Sequence, residues 1–182
     1  MNNTLADPFV FLVDTLAGLY ILAVMLRFLL QTVRADFYNP IIQVLVKLTN
    51  PPLLPLRRFI PGLFGIDMAA VVLMLLLQMA TFLVTMSLSG YGVSFTGLVV
   101  SSSYKLTMLL LWVYFFSIII QAIVSWIAPF SNHPAVMLLH NLNEPILRPI
   151  RRWIPPISGI DLSPMVVLIG IGFVQRLLAA IF

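Results

Sequence analysis

The densest chemistry in this sequence is two arginine pairs, Arg57-Arg58 and Arg151-Arg152, each set among prolines and apolar residues. A guanidinium presents a planar fan of donors that matches phosphate or carboxylate oxygens. Paired guanidiniums in an apolar setting therefore predict contact with lipid phosphates or with acidic groups on a protein. Attraction to an anionic leaflet is worth about 1 kcal/mol per basic residue near the surface. Phe59 and Trp153 follow the pairs directly and suit interfacial anchors. The plainer reading makes the same arginines determinants of membrane orientation. Asp67 and Asp161 immediately precede long apolar runs, where a carboxylate caps a helix N-terminus.

Other polar groups lie inside apolar runs, where an ionisable side chain invites a functional hypothesis. Asp14 and Arg176 each sit about six residues from the same side, roughly 9 Å deep at 1.5 Å per residue. Depth alone predicts that they face each other or share a crevice. Arg27, near the other end of its run, is expected to snorkel to the interface. Gln78, Gln121 and Gln175 are expected to hydrogen-bond between helices. Such groups could together line a polar path, which makes a small transporter or channel the alternative function. No ring of like charges supports it.

Weaker signals resolve to structure. His133 and His140 are seven apart and cannot chelate one metal without distant help, so they read as interfacial or hydrogen-bonded histidines. Ser102 and Lys105 have an SxxK spacing but no partner motif, and read as a polar connection entering the next helix. Without cysteine there is no thiol nucleophile, thiolate metal site or CxxCH haem attachment. The sequence implies no enzyme, no metal and no cofactor.

The elements that hold these residues follow from hydropathy. Of 182 residues, 61% are hydrophobic and 9% charged, against roughly 25% charged in a soluble domain. Mean hydropathy is +1.08. A water-facing globule and a disordered chain are both excluded. Four apolar runs, about residues 8–30, 68–89, 106–128 and 162–182, are long enough to cross about 30 Å of hydrocarbon as helices. Seven of the ten cations lie in 31–67 and 129–161. The positive-inside rule places those segments in the cytoplasm and both termini on the opposite side. The N-terminus has no basic region, so the first span is expected to be retained. The net charge of +4 thus reflects orientation, and no nucleic-acid partner is expected. Each basic segment opens with a short apolar stretch, 41–48 and 135–142, preceded by Pro40 and Pro134. These read as short interfacial helices. The prolines beyond them, at 51, 52, 55, 61, 145, 149, 155 and 156, predict a stiff, extended chain.

Shifted by 94, the sequence aligns with itself. LTNPPLLPLRRFIPGLFGID lies over LNEPILRPIRRWIPPISGID with eleven of twenty pairs identical, and the relation extends to Tyr20/Tyr114 and Pro40/Pro134. The unit is span, short helix, Pro/Arg segment, span, used twice. With an even number of spans per unit, both copies insert the same way up. The expected fold is an all-α polytopic membrane protein: repeat 1–89, connection 90–105, repeat 106–182.

PLLPLRRFIPGLFGID and PILRPIRRWIPPISGIDLSP resemble the YggT (YlmG-like) family of small integral membrane proteins of bacteria and plastids. The resemblance covers two consecutive family repeats. The second keeps the family's DLSP at 161–164, whereas the first reads Asp67-Met68-Ala69-Ala70. It implies inner-membrane location and links to osmotic-stress tolerance, envelope or division functions, and in plastids to cytochrome complex assembly and nucleoid organisation. No catalytic set comes with it. The expected function is a non-enzymatic assembly or organising factor acting through the duplicated Pro/Arg segments. Expected partners are membrane lipids, anionic phospholipid among them, and other membrane proteins. A homo-oligomer is compatible with so thin a bundle.

Overall fold

The computed structural model describes residues 6–63, 65–90, 92, 94–128, 131–154 and 161–182. Pro155, Pro156 and Gly159, singled out in the sequence, lie outside them. The chain forms six helices: α1 Ala6–Thr32, α2 Pro40–Phe59, α3 Met68–Ser89, α4 Phe95–Ile127, α5 Pro134–Trp153 and α6 Ser163–Ile181. Four of these, α1, α3, α4 and α6, are long and apolar enough to cross a membrane. Little of their surface is covered by protein: the spanning window is 33% buried in α3 and 6% in α6. Exposing so much Leu, Ile and Phe to water would be prohibitive, and lipid is the solvent that tolerates it.

The helices divide into two compact units. One comprises residues 1–28 and 45–109, the other 29–44 and 110–182. In the first, Ile21, Val24, Leu53 and Ala69 are among the most buried residues, drawn from α1, α2 and α3. In the second, Ile118, Leu147, Val167 and Ile171 form a core of α4, α5 and α6, with Tyr114, Phe115 and Ile150 packed on it.

Two expectations need correction. The short interfacial helices do not stop at Leu48 and Leu142; each runs 20 residues, through Pro51, Pro52 and Pro55 in α2 and through Pro145 and Pro149 in α5. An internal proline costs a helix about 3 kcal/mol, through a lost donor and a ring clash. Position explains the tolerance. Pro51 and Pro55 are four apart and exposed, as are Pro145 and Pro149, so the rings share the outer face of each helix. Carbonyls freed there can be met by water and headgroups. Pro52 is half-buried, and the Leu48 carbonyl it frees accepts from the Tyr20 hydroxyl at 3.3 Å. The opposite face buries Leu53 in α2 and Leu147 in α5.

The second correction concerns the connection at 90–105. Gly90 ends α3 in the left-handed region at φ 75°, where a side chain would be strained. The Ser94 hydroxyl then accepts the Gly97 N–H at 3.1 Å and starts α4 at Phe95. Lys105 is therefore a helical residue.

α1 ends in a Schellman turn: the Ala35 N–H reaches the Leu30 carbonyl at 2.9 Å and the Arg34 N–H reaches Gln31 at 3.1 Å. The residue forced to positive φ is Arg34, at 54°. Asn39 and His133, 94 apart, then cap α2 and α5. Asn39 Oδ1 accepts the Ile41 N–H at 3.0 Å, and His133 Nδ1 accepts the Ala135 N–H at 3.3 Å.

Candidate interfacial site and interhelical clamps

The ends of α2 and α5 carry the repeated arginines. In the first unit Leu63 and Ile66 exchange backbone hydrogen bonds at 3.1 and 2.8 Å, with Gly65 between them at φ 81°. Only a residue comfortable at positive φ closes this turn without strain. The turn brings Asp67 back onto Arg57. Nε and Nη2 of Arg57 both donate to Asp67 Oδ2, the former at 3.1 Å, and the Asp67 side chain is 7% exposed. Its other oxygen accepts the Ala70 N–H at 3.4 Å, so one carboxylate both caps α3 and holds α2.

The second unit repeats the arrangement. Arg151 Nε donates to Asp161 Oδ2 at 2.8 Å, and Asp161 Oδ1 accepts the Ser163 N–H at 2.9 Å. Arg151 Nη1 also donates to Glu144 Oε2 at 2.8 Å. Burial raises the Asp161 pKa, but the Arg151 hydrogen bond, the Ser163 N–H and the Arg151 charge outweigh it, and the carboxyl ends below its usual value. For Arg151, burial works against the charge and the two carboxylates more than restore it, so its pKa lies above normal.

Within each pair the two arginines differ. Arg57 and Arg151 are engaged by carboxylates, whereas Arg58 and Arg152 are exposed. Phe59 and Trp153 are 83% and 86% exposed. Each helix thus ends in one arginine that fastens it and a neighbouring Arg–aromatic dipeptide that projects.

A second duplicated contact joins span to amphipathic helix. Arg27 is 7% exposed and does not snorkel: its Nη1 donates to Thr49 Oγ1 at 2.6 Å and reaches the Val46 carbonyl at 3.4 Å. The oxygens it meets both come from α2. Shifted by 94, Arg27 becomes Gln121 and Thr49 becomes Asn143, and these also touch. Asn143 Nδ2 donates to Gln121 Oε1 at 2.7 Å, the Ser117 hydroxyl donates to Asn143 Oδ1 at 2.6 Å, and Gln121 Nε2 lies 2.9 Å from His140 Nδ1. Asn143 is fully buried with both ends of its amide satisfied.

The remaining candidates are placed differently. Asp14 is engaged by Lys105 Nζ at 2.5 Å, and that ammonium stands 5.3 Å from the Phe82 ring centroid. Lys105 went unread as a partner because 105 was assigned to a connection. Arg176 is exposed and has no ion-pair partner among the described residues. Gln78 Nε2 and Gln175 Nε2 are buried without a hydrogen-bond partner among the described residues, so of the three glutamines Gln121 forms the interhelical bonds. Thr49, Asn143, Ser117, Glu144 and Lys105 were missed by sequence reasoning. The 94-residue shift could have found Thr49 and Asn143, as buried polar positions aligned on the amphipathic helices.

Comparison with known proteins agrees with the duplicated plan. The sequence model of the CCB3/YggT family matches residues 6–88 and again 100–182. An uncharacterised protein of Pseudomonas aeruginosa is 43% identical over 170 residues, covering 92% of this chain and 86% of that protein. A protein encoded in the proC 3′ region of Vibrio alginolyticus is 42% identical over 177 residues, covering 94% and 93%. The uncharacterised protein YggT of Escherichia coli K12 is 34% identical over 161 residues, covering 87% and 82%. No solved structure matches. With two tandem family matches spanning its six helices, the chain belongs to the CCB3/YggT family.

Proposed function

We propose that this is a non-enzymatic bacterial inner-membrane protein that assembles or organises membrane complexes, docking them on the cytoplasmic ends of α2 and α5. The observation that carries the reading is the division of labour within each arginine pair. Arg57 and Arg151 hold the helix ends against Asp67 and Asp161, so Arg58-Phe59 and Arg152-Trp153 project from a fixed base. Arginine and aromatic side chains on a rigid element are the residues that dominate binding energy at protein interfaces. Orientation alone needs positive charge but no fixed geometry and no exposed ring. The transport alternative gains less support, because Asp14 is charge-paired with Lys105.

The chain has no cysteine, so single cysteines at Pro55 and Pro149, on the exposed faces of α2 and α5, give cross-linking without background. The expected result in native membranes is one dominant protein adduct that disappears in the Arg58→Gln/Arg152→Gln variant. Lipid adducts alone, or an adduct indifferent to that variant, would count against docking.

A further inference from the structure

A cleft of about 410 Å³ lies in the second unit, lined by Val33, Arg34, Asn141, Glu144, Pro145 and Arg148. That volume falls in the range of ligand-holding clefts, roughly 300–1,000 Å³. Its walls come from the turn that follows α1 and the middle of α5. We propose that this cleft binds the phosphate headgroup of an anionic phospholipid, through Arg34 and Arg148, at a site separate from the docking dipeptides.

Charge is the first support. Two guanidiniums line the cleft, and neither has an ion-pair partner among the described residues. The single carboxylate in the wall, Glu144, is already committed to Arg151 at 2.8 Å. The cleft therefore carries excess positive charge, with the Asn141 amide beside it and Val33 and Pro145 as apolar contacts. Two planar donor sets approaching from separate elements suit the non-bridging oxygens of one phosphate.

Backbone conformation is the second and independent support. Arg34 occupies the left-handed position of the Schellman turn, at φ 54°. Glycine is the usual residue there and arginine is strained. Such strain at a residue whose side chain lines a cleft points to a role for that side chain. The repeat-related positions lack the same set: Arg34, Asn141, Glu144 and Arg148 correspond to Ala128, Lys47, Asn50 and Leu54. The site is thus particular to the second unit, unlike the duplicated arginine pairs.

Placement selects a lipid over a soluble phosphate ester. Arg34 stands two residues beyond the end of a membrane-spanning helix, and α5 is amphipathic with Arg148 on its exposed side. Both guanidiniums then lie at headgroup depth.

Native mass spectrometry of the detergent-purified full chain, titrated with phosphatidylglycerol, tests this. Arg34→Gln/Arg148→Gln should weaken binding about 30-fold, the sum of two basic contacts. Lys47→Gln and Arg58→Gln/Arg152→Gln should bind as the wild type does, which separates this site from the docking reading. Arg34→Gly should relieve the strained turn, leaving thermal stability equal or higher, yet still lose affinity. A purely structural Arg34 would show no such divergence. Unchanged binding by the double variant would overturn the site. An equal loss with Lys47→Gln would reduce it to diffuse surface charge. Phosphatidylcholine binding as tightly would overturn the preference for anionic lipid. Displacement of phosphatidylglycerol by millimolar glycerol phosphate would assign the cleft to a soluble ligand instead.

Discussion

Exchanging the span–helix contact between the repeats probes whether they are built alike. Arg27 is buried against Thr49, and its one short hydrogen bond in this contact runs to the Thr49 hydroxyl at 2.6 Å; the Val46 carbonyl is 3.4 Å away. Thr49→Val keeps the volume and removes that oxygen. Hydrogen bonds to charged groups contribute about 1.5–3 kcal/mol, and side-chain bonds between membrane helices about 0.6, at most about 1.7. The hydroxyl's own bond to the Leu45 carbonyl is local back-bonding that adds little. A loss of roughly 1.5–2 kcal/mol is therefore expected. The transplant Arg27→Gln/Thr49→Asn installs the Gln121–Asn143 pair, which meets at 2.7 Å in the other repeat. The two single changes should each destabilise, and the double should recover about 1 kcal/mol of their sum. Unfolding in mixed micelles by titration with SDS, followed by far-UV circular dichroism, measures each variant. A Thr49→Val cost below about 0.5 kcal/mol, or a strictly additive double, would refute the equivalence of the two contacts.

Three further outcomes are expected. Tyr20→Phe should cost about 0.5–1 kcal/mol, since it strands the Leu48 carbonyl freed by Pro52; Tyr114→Phe should cost less, because Ile146 stands where Pro52 does and keeps its N–H; the same micelle unfolding compares them. The lowered Asp161 pKa stabilises the fold above the unfolded carboxyl value of about 4 and is lost as pH falls through the folded value; Asp161→Asn should therefore flatten the decline in melting temperature below about pH 4 and leave the profile from pH 5 to 8 unchanged in shape. Asp14→Asn and Lys105→Met should each cost roughly 1–2 kcal/mol, less than a fully buried pair because both side chains are part-exposed; the double change should cost less than the sum, and a double-mutant cycle reads the coupling.

The spans were legible because lipid permits little else: long apolar runs must close their hydrogen bonds internally, and composition alone marks them. The repeat was legible for the same residues that do structural work, Arg57/Arg151 and Asp67/Asp161. The proline-rich helices were not legible. Local rules count each internal proline against helix, and the decisive facts are tertiary: which face the rings occupy, and that Tyr20 meets the carbonyl left by Pro52. Arg27 was misread, and the Lys105 partner of Asp14 missed, for a related reason. Depth along a helix locates a charge but does not name its neighbour, and the partners Thr49 and Lys105 are 22 and 91 residues away. The cleft is lined by Arg34, whose positive φ at a non-glycine residue the sequence does not announce.

The proposed docking by Arg58-Phe59 and Arg152-Trp153 is separable from orientation in one measurement. Cysteine accessibility at both membrane faces, read together with the yield of the native complex, should be compared for the wild type and Arg58→Gln/Arg152→Gln. The expected result is an unchanged accessibility pattern with the complex lost. A complex retained in full, or an altered accessibility pattern accompanying its loss, would contradict docking and leave these arginines as determinants of orientation.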